Sequence, residues 1–466
     1  MVLMRPDPTF YPSARMAMEG PPEELAYVAM LSANGDGRPD GLATVDLDPG
    51  SDTYGQIVHT LNMPTAGDEL HHFGWNACSA HLCPYAPHPH TQRRYLVVPG
   101  LRSSRIYIVD VGDDPRQPNI VKTIQADEVF ARTGYSRPHT VHCGPDNIYV
   151  SALGNPEGDG PGGVFVLDHE TFEPLGRWEV DRGPQHLHYD FWWHLGHDIM
   201  LTSEWGTPNM VEHGLDPELL MGRQYGHRLH VWDLRRRRHL QEIDLGDEHQ
   251  LALELRPSHD PTNTYGFVNT AVSVEDLTAS VFTWHRPNGT WAADKTITVP
   301  PEPADPDRLP PALQPFGAVP PLITDHVLTL DDRLLFTACW GTGELRAYDV
   351  SDPLAPRQTG SVRIGGIVER TPHPAYGDRP LNGGPQMVEA SRDGKRLYFT
   401  NSLYASWDEQ FYPDGIDGWM VKVDVADDGS ISLDPDFFVD FSADGRRAHQ
   451  IRLSGGDASS DSYCFP

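Results

Sequence analysis

One short pattern recurs seven times along this 466-residue chain: three or four alternating apolar residues, usually an Asp, a turn-rich stretch, then a second extended run. The copies are GLATVDLDPGSDTYGQIVHTL from Gly41, SRIYIVDVGDDPRQPNIVKTI from Ser104, GGVFVLDHETFEPLGRWEV from Gly162 and HRLHVWDLRRRRHLQEIDL from His227. SVFTWHRPNGTWAADKTITV from Ser280, GELRAYDVSDPLAPRQTGSVRI from Gly343 and GWMVKVDVADDGSISLDPDFFVDF from Gly418 complete the set. Period-two alternation places side chains on two faces, so each copy predicts a hairpin. Segments ahead of the copies, such as HTVHCGPDNIYVSALG and LITDHVLTLDDRLLFTACWG, again read strand, turn, strand. Two hairpins per repeat make a propeller blade, and a spacing of about 50–75 residues suits one blade plus its loops.

The expectation is therefore an all-β chain, a seven-bladed β-propeller forming one domain over residues 1–466. AHQIRLSGGD from Ala448 reads as the inner strand of a blade whose outer strands are AYVAMLSANG from Ala26 and the first copy, so both termini close one blade and no edge is left open. Residues 1–25 read as an N-terminal extension and 301–320 as a Pro-rich loop. The 43 glycines and 43 prolines exceed the roughly 12% of an average protein and suit many tight turns.

A formal charge of −30 repels polyanions, which excludes a nucleic-acid partner. No run approaches the roughly 18 apolar residues of a membrane span, and the start lacks the layout of a signal peptide. The expected location is the cytoplasm, and the sequence leaves the oligomeric state open. Five scattered cysteines (Cys78, Cys83, Cys143, Cys339 and Cys464) do not resemble a secreted disulfide framework, and free thiols or ligands are expected.

In a propeller the inner strands line one axis, so residues that start them converge. The repeat predicts Asp68, Glu69, His71 and His72, then His139 and His142, His186 and His188, and His249 at that axis. Asp325 and His326, Gln386 and His449 follow. Residues two apart share a strand face, so His186 and His188 are expected to act together. His139 and His142 cannot both point inward unless a bulge re-aims one of them.

With 23 histidines in the chain, several at one repeat position, imidazole becomes the obvious axial donor for copper, zinc, iron or nickel. Copper is preferred to zinc, because many imidazoles around an accessible axis suit redox chemistry. The other reading is a set of polar residues satisfied at strand ends. Cys78, in the stretch GWNACSAHLCP, could assist a soft metal or carry sulfur, or could be an inert thiol. Trp-bearing segments DFWWHL, SEWG and ACWG could wall an apolar pocket, or pack between blades. The run RRRR at 235–238 reads as a solvated turn. The chain has no phosphate-cradling glycine loop, serine nucleophile elbow or zinc-finger cysteine spacing.

The motifs DELHHFGWN, SSRIYIVDVG, YDFWW, SEWGTPN, LITDHVLTLDDRLL, GGPQM, RLYFTNSLYASWDEQFYP and SGGDASSD resemble the selenium-binding protein family, which includes methanethiol oxidases, from about Tyr11 to the C-terminus. The resemblance implies a copper oxidase that converts methanethiol, dioxygen and water to formaldehyde, hydrogen sulfide and hydrogen peroxide. The positions that match the family pattern are His71, His72, His139, His142 and His449, with Asp325 and Gln386. His186, His188, His249 and His326 rank second. The family's Cys-x-x-Cys is Cys78-Ser-Ala-His81 here, and the cysteine of animal members is Gly55, which removes selenium attachment there.

The metal is thus expected on His71, His72, His139, His142, His188 and His449. His142 or Asp325 would accept the proton and Cys78 would handle sulfur. A non-catalytic propeller that binds metal, selenium or a partner is the alternative from another class, and a metal-dependent lactonase-like hydrolase is a third.

Overall fold

The computed structural model describes residues 5–32 and 36–466. Among these, seven four-stranded antiparallel sheets follow one another around a ring. The blade shared by the termini is the most informative. Its inner strand is Arg446–Leu453 and its next strand is Leu25–Ser32, in the register Ala26 to Leu453 and Ser32 to Arg446. Gly41–Asp46 and Ile57–Asn62 complete it. The last three residues of the expected AYVAMLSANG segment, and the first four of the N-terminal extension, lie outside the described residues.

Four of the seven described inner strands share an irregularity that shapes the axis. In Ser136–Cys143, Pro138 faces Ala152 but Val141 faces Val150, so one extra residue is squeezed in. The same excess falls between Ala252 and Leu255, between Ile323 and Asp325, and at Ala448–Ile451 opposite Val28–Met30. Such a bulge bends the strand and re-aims side chains. Three residues then span what two normally would, so His139 and His142 both face inward. Just ahead, Glu69, Arg137, Leu251 and Leu322 hold left-handed φ of 53°, 56°, 64° and 52°. Each non-glycine residue in that region stores about 1–3 kcal/mol of strain. All four stand two positions before an axial residue: His71, His139, Leu253 and Thr324.

At three places the residue after an axial position stitches blade to blade. Gln450 Oε1 accepts the Phe73 N–H at 2.5 Å, Asp190 Oδ2 accepts that of Leu255 at 2.8 Å, and Asp325 Oδ2 accepts that of Val388 at 2.8 Å. Deeper along the axis, Arg256 pairs with Asp325 at 3.0 Å and Glu254 at 3.2 Å, and Arg452 pairs with Glu389 at 2.7 Å.

The two faces of the ring are closed differently. Over one face, helices Pro208–Val211, Pro217–Met221 and Ala405–Phe411 supply Val211, Leu220, Trp407 and Phe411 to an apolar cluster with Trp205 and Trp340. The Pro-rich loop joins them. It is pinned by a two-residue ribbon, Glu302–Pro303 against Ala318–Val319, and sends Leu309 and Leu313 into the same cluster. On the opposite face the C-terminal tail is held by the Asp461–Arg93 ion pair, buried at 2.7 Å.

The cysteines correct the expectation of free thiols. Cys78 pairs with Cys143 and Cys83 with Cys464, with Cα separations of 6.0 and 5.5 Å, and Cys339 is free and buried. These pairs join residues 65 and 381 positions apart, so tertiary approach, and no sequence spacing, brings them together. Among the described residues no helix is long and apolar enough to cross a membrane.

Candidate metal centre

Four imidazoles meet at the axis. His71, His72 and His139 each offer a nitrogen within 4.8 Å of the others', and the His449 ring lies 3.6 Å from that of His71. All four are buried. Carbonyls orient two of them. His71 Nε2 donates to Leu403 O at 2.5 Å and His449 Nδ1 to Ser402 O at 2.6 Å. A carbonyl only accepts, so each proton is placed there and the other nitrogen keeps its lone pair. His71 Nδ1 faces His139 Nε2 at 2.9 Å.

Burial pushes the His71 imidazole down to about 3. His72, His139 and His449 also fall well below the usual range, first through burial and then through one another's charge. Neutral rings with free lone pairs are the form that binds a metal. His72 Nε2 and His449 Nε2 are buried with no hydrogen-bond partner, as are both polar atoms of the axial Gln386. Each such orphan costs about 1–3 kcal/mol, a cost that a metal ligand bond would relieve. The residues therefore fit an imidazole-bound transition metal.

Above the rings lies a cavity of about 20 Å³, lined by His71, Tyr189, Trp205, Leu253, Trp340 and Trp407 among others. That is room for one or two water-sized molecules. Trp205 and Trp340, from SEWG and ACWG, wall this pocket, and Trp192 from DFWWHL packs on the His142 ring at 4.3 Å.

Other expected residues fall elsewhere. His142 sits one layer deeper, its Nε2 4.0 Å from Asp190. His188 is buried beside the cluster, within electrostatic reach of His139 and His230, and both of its nitrogens are unpartnered. His186 is exposed, because residues 183–188 leave strand geometry and the two-residue alternation fails. His249 lies off the axis, facing Lys295 at 3.4 Å and the Phe282 ring. His326 turns to Asn269 at 3.1 Å.

Asp325 has both oxygens taken, by Arg256, the His326 N–H and the Val388 N–H. Burial pushes its carboxyl up to about 7, against the pull of Arg256. That geometry suits a bracket between blades better than an open proton acceptor. Cys78, tied to Cys143, has no thiolate to offer while that bond stands.

Two residues escaped the sequence reading. Glu254 Oε1 stands 3.5 Å from His72 Nε2 and accepts the Tyr189 hydroxyl at 3.0 Å. Tyr189 belongs to the repeat position that lines the cavity, and Glu254 directly follows its counterpart Leu253. The bulge between Ala252 and Leu255 hides Glu254 from a strand alignment, and Tyr189 stands in the irregular stretch ahead of strand Phe191–His194.

Comparison with known proteins agrees with this architecture. The profile of the 56 kDa selenium-binding protein family (SBP56) matches residues 4–464. Methanethiol oxidases of Xenopus tropicalis and Homo sapiens are 42% and 41% identical, over 96% and 97% of both chains. The X-ray structure of a hypothetical selenium-binding protein from Sulfolobus tokodaii is 55% identical, with a TM-score of 0.96 over 99% of this chain and 100% of that one. A putative 6-phosphogluconolactonase from Bacteroides uniformis, at 9% identity and TM-score 0.54, shares the fold alone. A profile match over nearly the whole chain, with relatives this similar along their full lengths, means that the chain belongs to the 56 kDa selenium-binding protein family.

Proposed function

We propose that this protein is a methanethiol oxidase that takes methanethiol, dioxygen and water to formaldehyde, hydrogen sulfide and hydrogen peroxide. The observation that carries this reading is the juxtaposition of four neutral imidazoles, two with unpartnered buried nitrogens, beneath a small apolar cavity. The identity to proteins named methanethiol oxidase supports the substrate.

His71, His72, His139 and His449 would hold the metal, which we take to be copper. Bound there, copper supplies a Lewis acid for the thiol sulfur and a redox partner for dioxygen. The protein's own part is binding and proton handling. Tyr189, Leu253 and the tryptophans shape a site that fits a methyl group and excludes bulk water. Burial strengthens every electrostatic contact within it.

Glu254 accepts the thiol proton directly, and the Tyr189 hydroxyl steadies the carboxylate. His142 and Asp325 are replaced in that role, since one lies a layer deeper and the other is already fully engaged.

The test is turnover of copper-loaded protein under air and under argon. Equal amounts of peroxide, sulfide and formaldehyde under air, with none under argon, are expected. Oxygen-independent hydrolysis of a lactone, with no peroxide from methanethiol, would overturn the oxidase reading.

A further inference from the structure

We propose a second metal site, away from the axis, where a loop of the second blade meets a turn of the third. His88, His169 and Glu170 form it, and its ligand is a borderline divalent ion of the zinc class. The three side chains each offer a donor atom within 4.8 Å of the others', and none belongs to the axial cluster.

The site is built rather than incidental. His169 is 4% exposed, and its Nδ1 lies 3.0 Å from the carbonyl of Asp146. Because that carbonyl can only accept, the proton sits on Nδ1 and the lone pair on Nε2. Nε2 is itself buried and has no hydrogen-bond partner. A backbone carbonyl that sets the tautomer of an imidazole is the usual outer support of a ligating histidine.

The opposing donors stand on stiff segments. His88 lies between Pro87 and Pro89, which fix their own φ. Its carbonyl accepts from the Thr91 N–H at 3.1 Å and the Thr91 hydroxyl at 3.0 Å. The His88 and His169 rings are 4.6 Å apart. Glu170 follows strand Gly163–Leu167 in a turn that Asp168 secures by accepting its N–H at 3.0 Å. Behind them the His81 ring stands 5.9 Å from His169, with its own Nε2 buried and unpartnered.

Two imidazoles and one carboxylate leave an open position for water, a donor set that suits zinc. Magnesium and calcium favour all-oxygen sites, which this is not. A bound ion would tie the loop that carries Cys83 to the third blade, as a clamp beside the Cys83–Cys464 disulfide.

The probe is Zn²⁺, titrated calorimetrically into the full-length protein and located by anomalous scattering at the zinc edge. Wild type is expected to bind one equivalent more than the double variant His88→Ala/Glu170→Gln, whose two positions are half-buried and exposed and leave the core intact. His72→Ala, which alters only the axial cluster, should retain that equivalent. An anomalous peak about 2.1 Å from one nitrogen of each of His88 and His169 is expected. Equal zinc stoichiometry in wild type and the double variant, or no peak there at saturating zinc, overturns the proposal.

Discussion

Glu254 Oε1 and His72 Nε2, contributed by the fifth and second blades, stand 3.5 Å apart in the buried axis of the propeller. The carboxylate also accepts the Tyr189 hydroxyl. A base that touches a candidate ligand, under the wall of the cavity that carries a phenol, is placed to take a proton from a bound thiol. Glu254→Gln keeps the shape and the Tyr189 contact but removes the base. Turnover should fall roughly a hundredfold, the usual range for loss of a general base, with metal content unchanged. Steady-state kinetics paired with metal analysis checks this, and loss of metal from the variant would reassign Glu254 to the metal's support.

Removing an imidazole should act on metal first. His449→Ala deletes a buried nitrogen that faces the axis without a partner, so copper per chain and turnover are expected to fall together. Chelation of the wild type should abolish turnover, and copper should restore it. A His449→Ala protein with full copper and full activity would remove this residue from the ligand set.

The cavity sets the size of the substrate. Leu253 lines it and is 5% exposed. Leu253→Ala adds space at a cost of about 2–5 kcal/mol in stability. The ratio of kcat/KM for ethanethiol over that for methanethiol should rise by about tenfold or more, the worth of one accommodated methylene. Kinetics with the two thiols measures it.

His194 reports on burial away from the site. Desolvation, then the neighbouring His197, lowers its imidazole to about 3, against an unfolded value of about 6.5. Between those values the unfolded chain takes a proton that the native one refuses, so stability present above pH 6.5 is lost as pH falls. Relative to His194→Phe, wild type should lose about 1.4 kcal/mol per pH unit below 6.5. Urea unfolding of both proteins from pH 7.5 to 4.5 tests the slope, and parallel curves would contradict it.

Thiol counting tests the disulfides. Denatured but unreduced protein should show the single thiol of Cys339, and peptide mapping should recover Cys78 with Cys143 and Cys83 with Cys464. Three or more reactive thiols before reduction would refute the pairing.

The blade pattern was legible because a strand's two-residue period and its turn residues are local properties. They appear in each copy without reference to the rest of the chain, and the closure of one blade by Ala448 and Ala26 followed from them. The axial histidines were legible for the same reason, as a recurrence at one place in the repeat. His186 shows the limit. A strand alignment carries no information on where the chain leaves strand geometry, as it does at 183–188.

Glu254 needed the bulge between Ala252 and Leu255, and Tyr189 needed the irregular stretch that precedes strand Phe191–His194. A single extra residue exchanges the faces of a strand, and only cross-strand pairing reveals where it is. The cysteines needed the whole fold, since nothing local to Cys83 points to Cys464.

By itself, then, the sequence determined the seven blades, their closure and the histidine-rich axis, all of which rest on short-range periodicity repeated in register. The tertiary structure alone decided which imidazoles meet, which carboxylate faces them, which cysteines pair and where His88 finds His169. Those relations join residues tens to hundreds of positions apart, and their geometry is set by bulges, left-handed turns and ring closure that no single segment encodes.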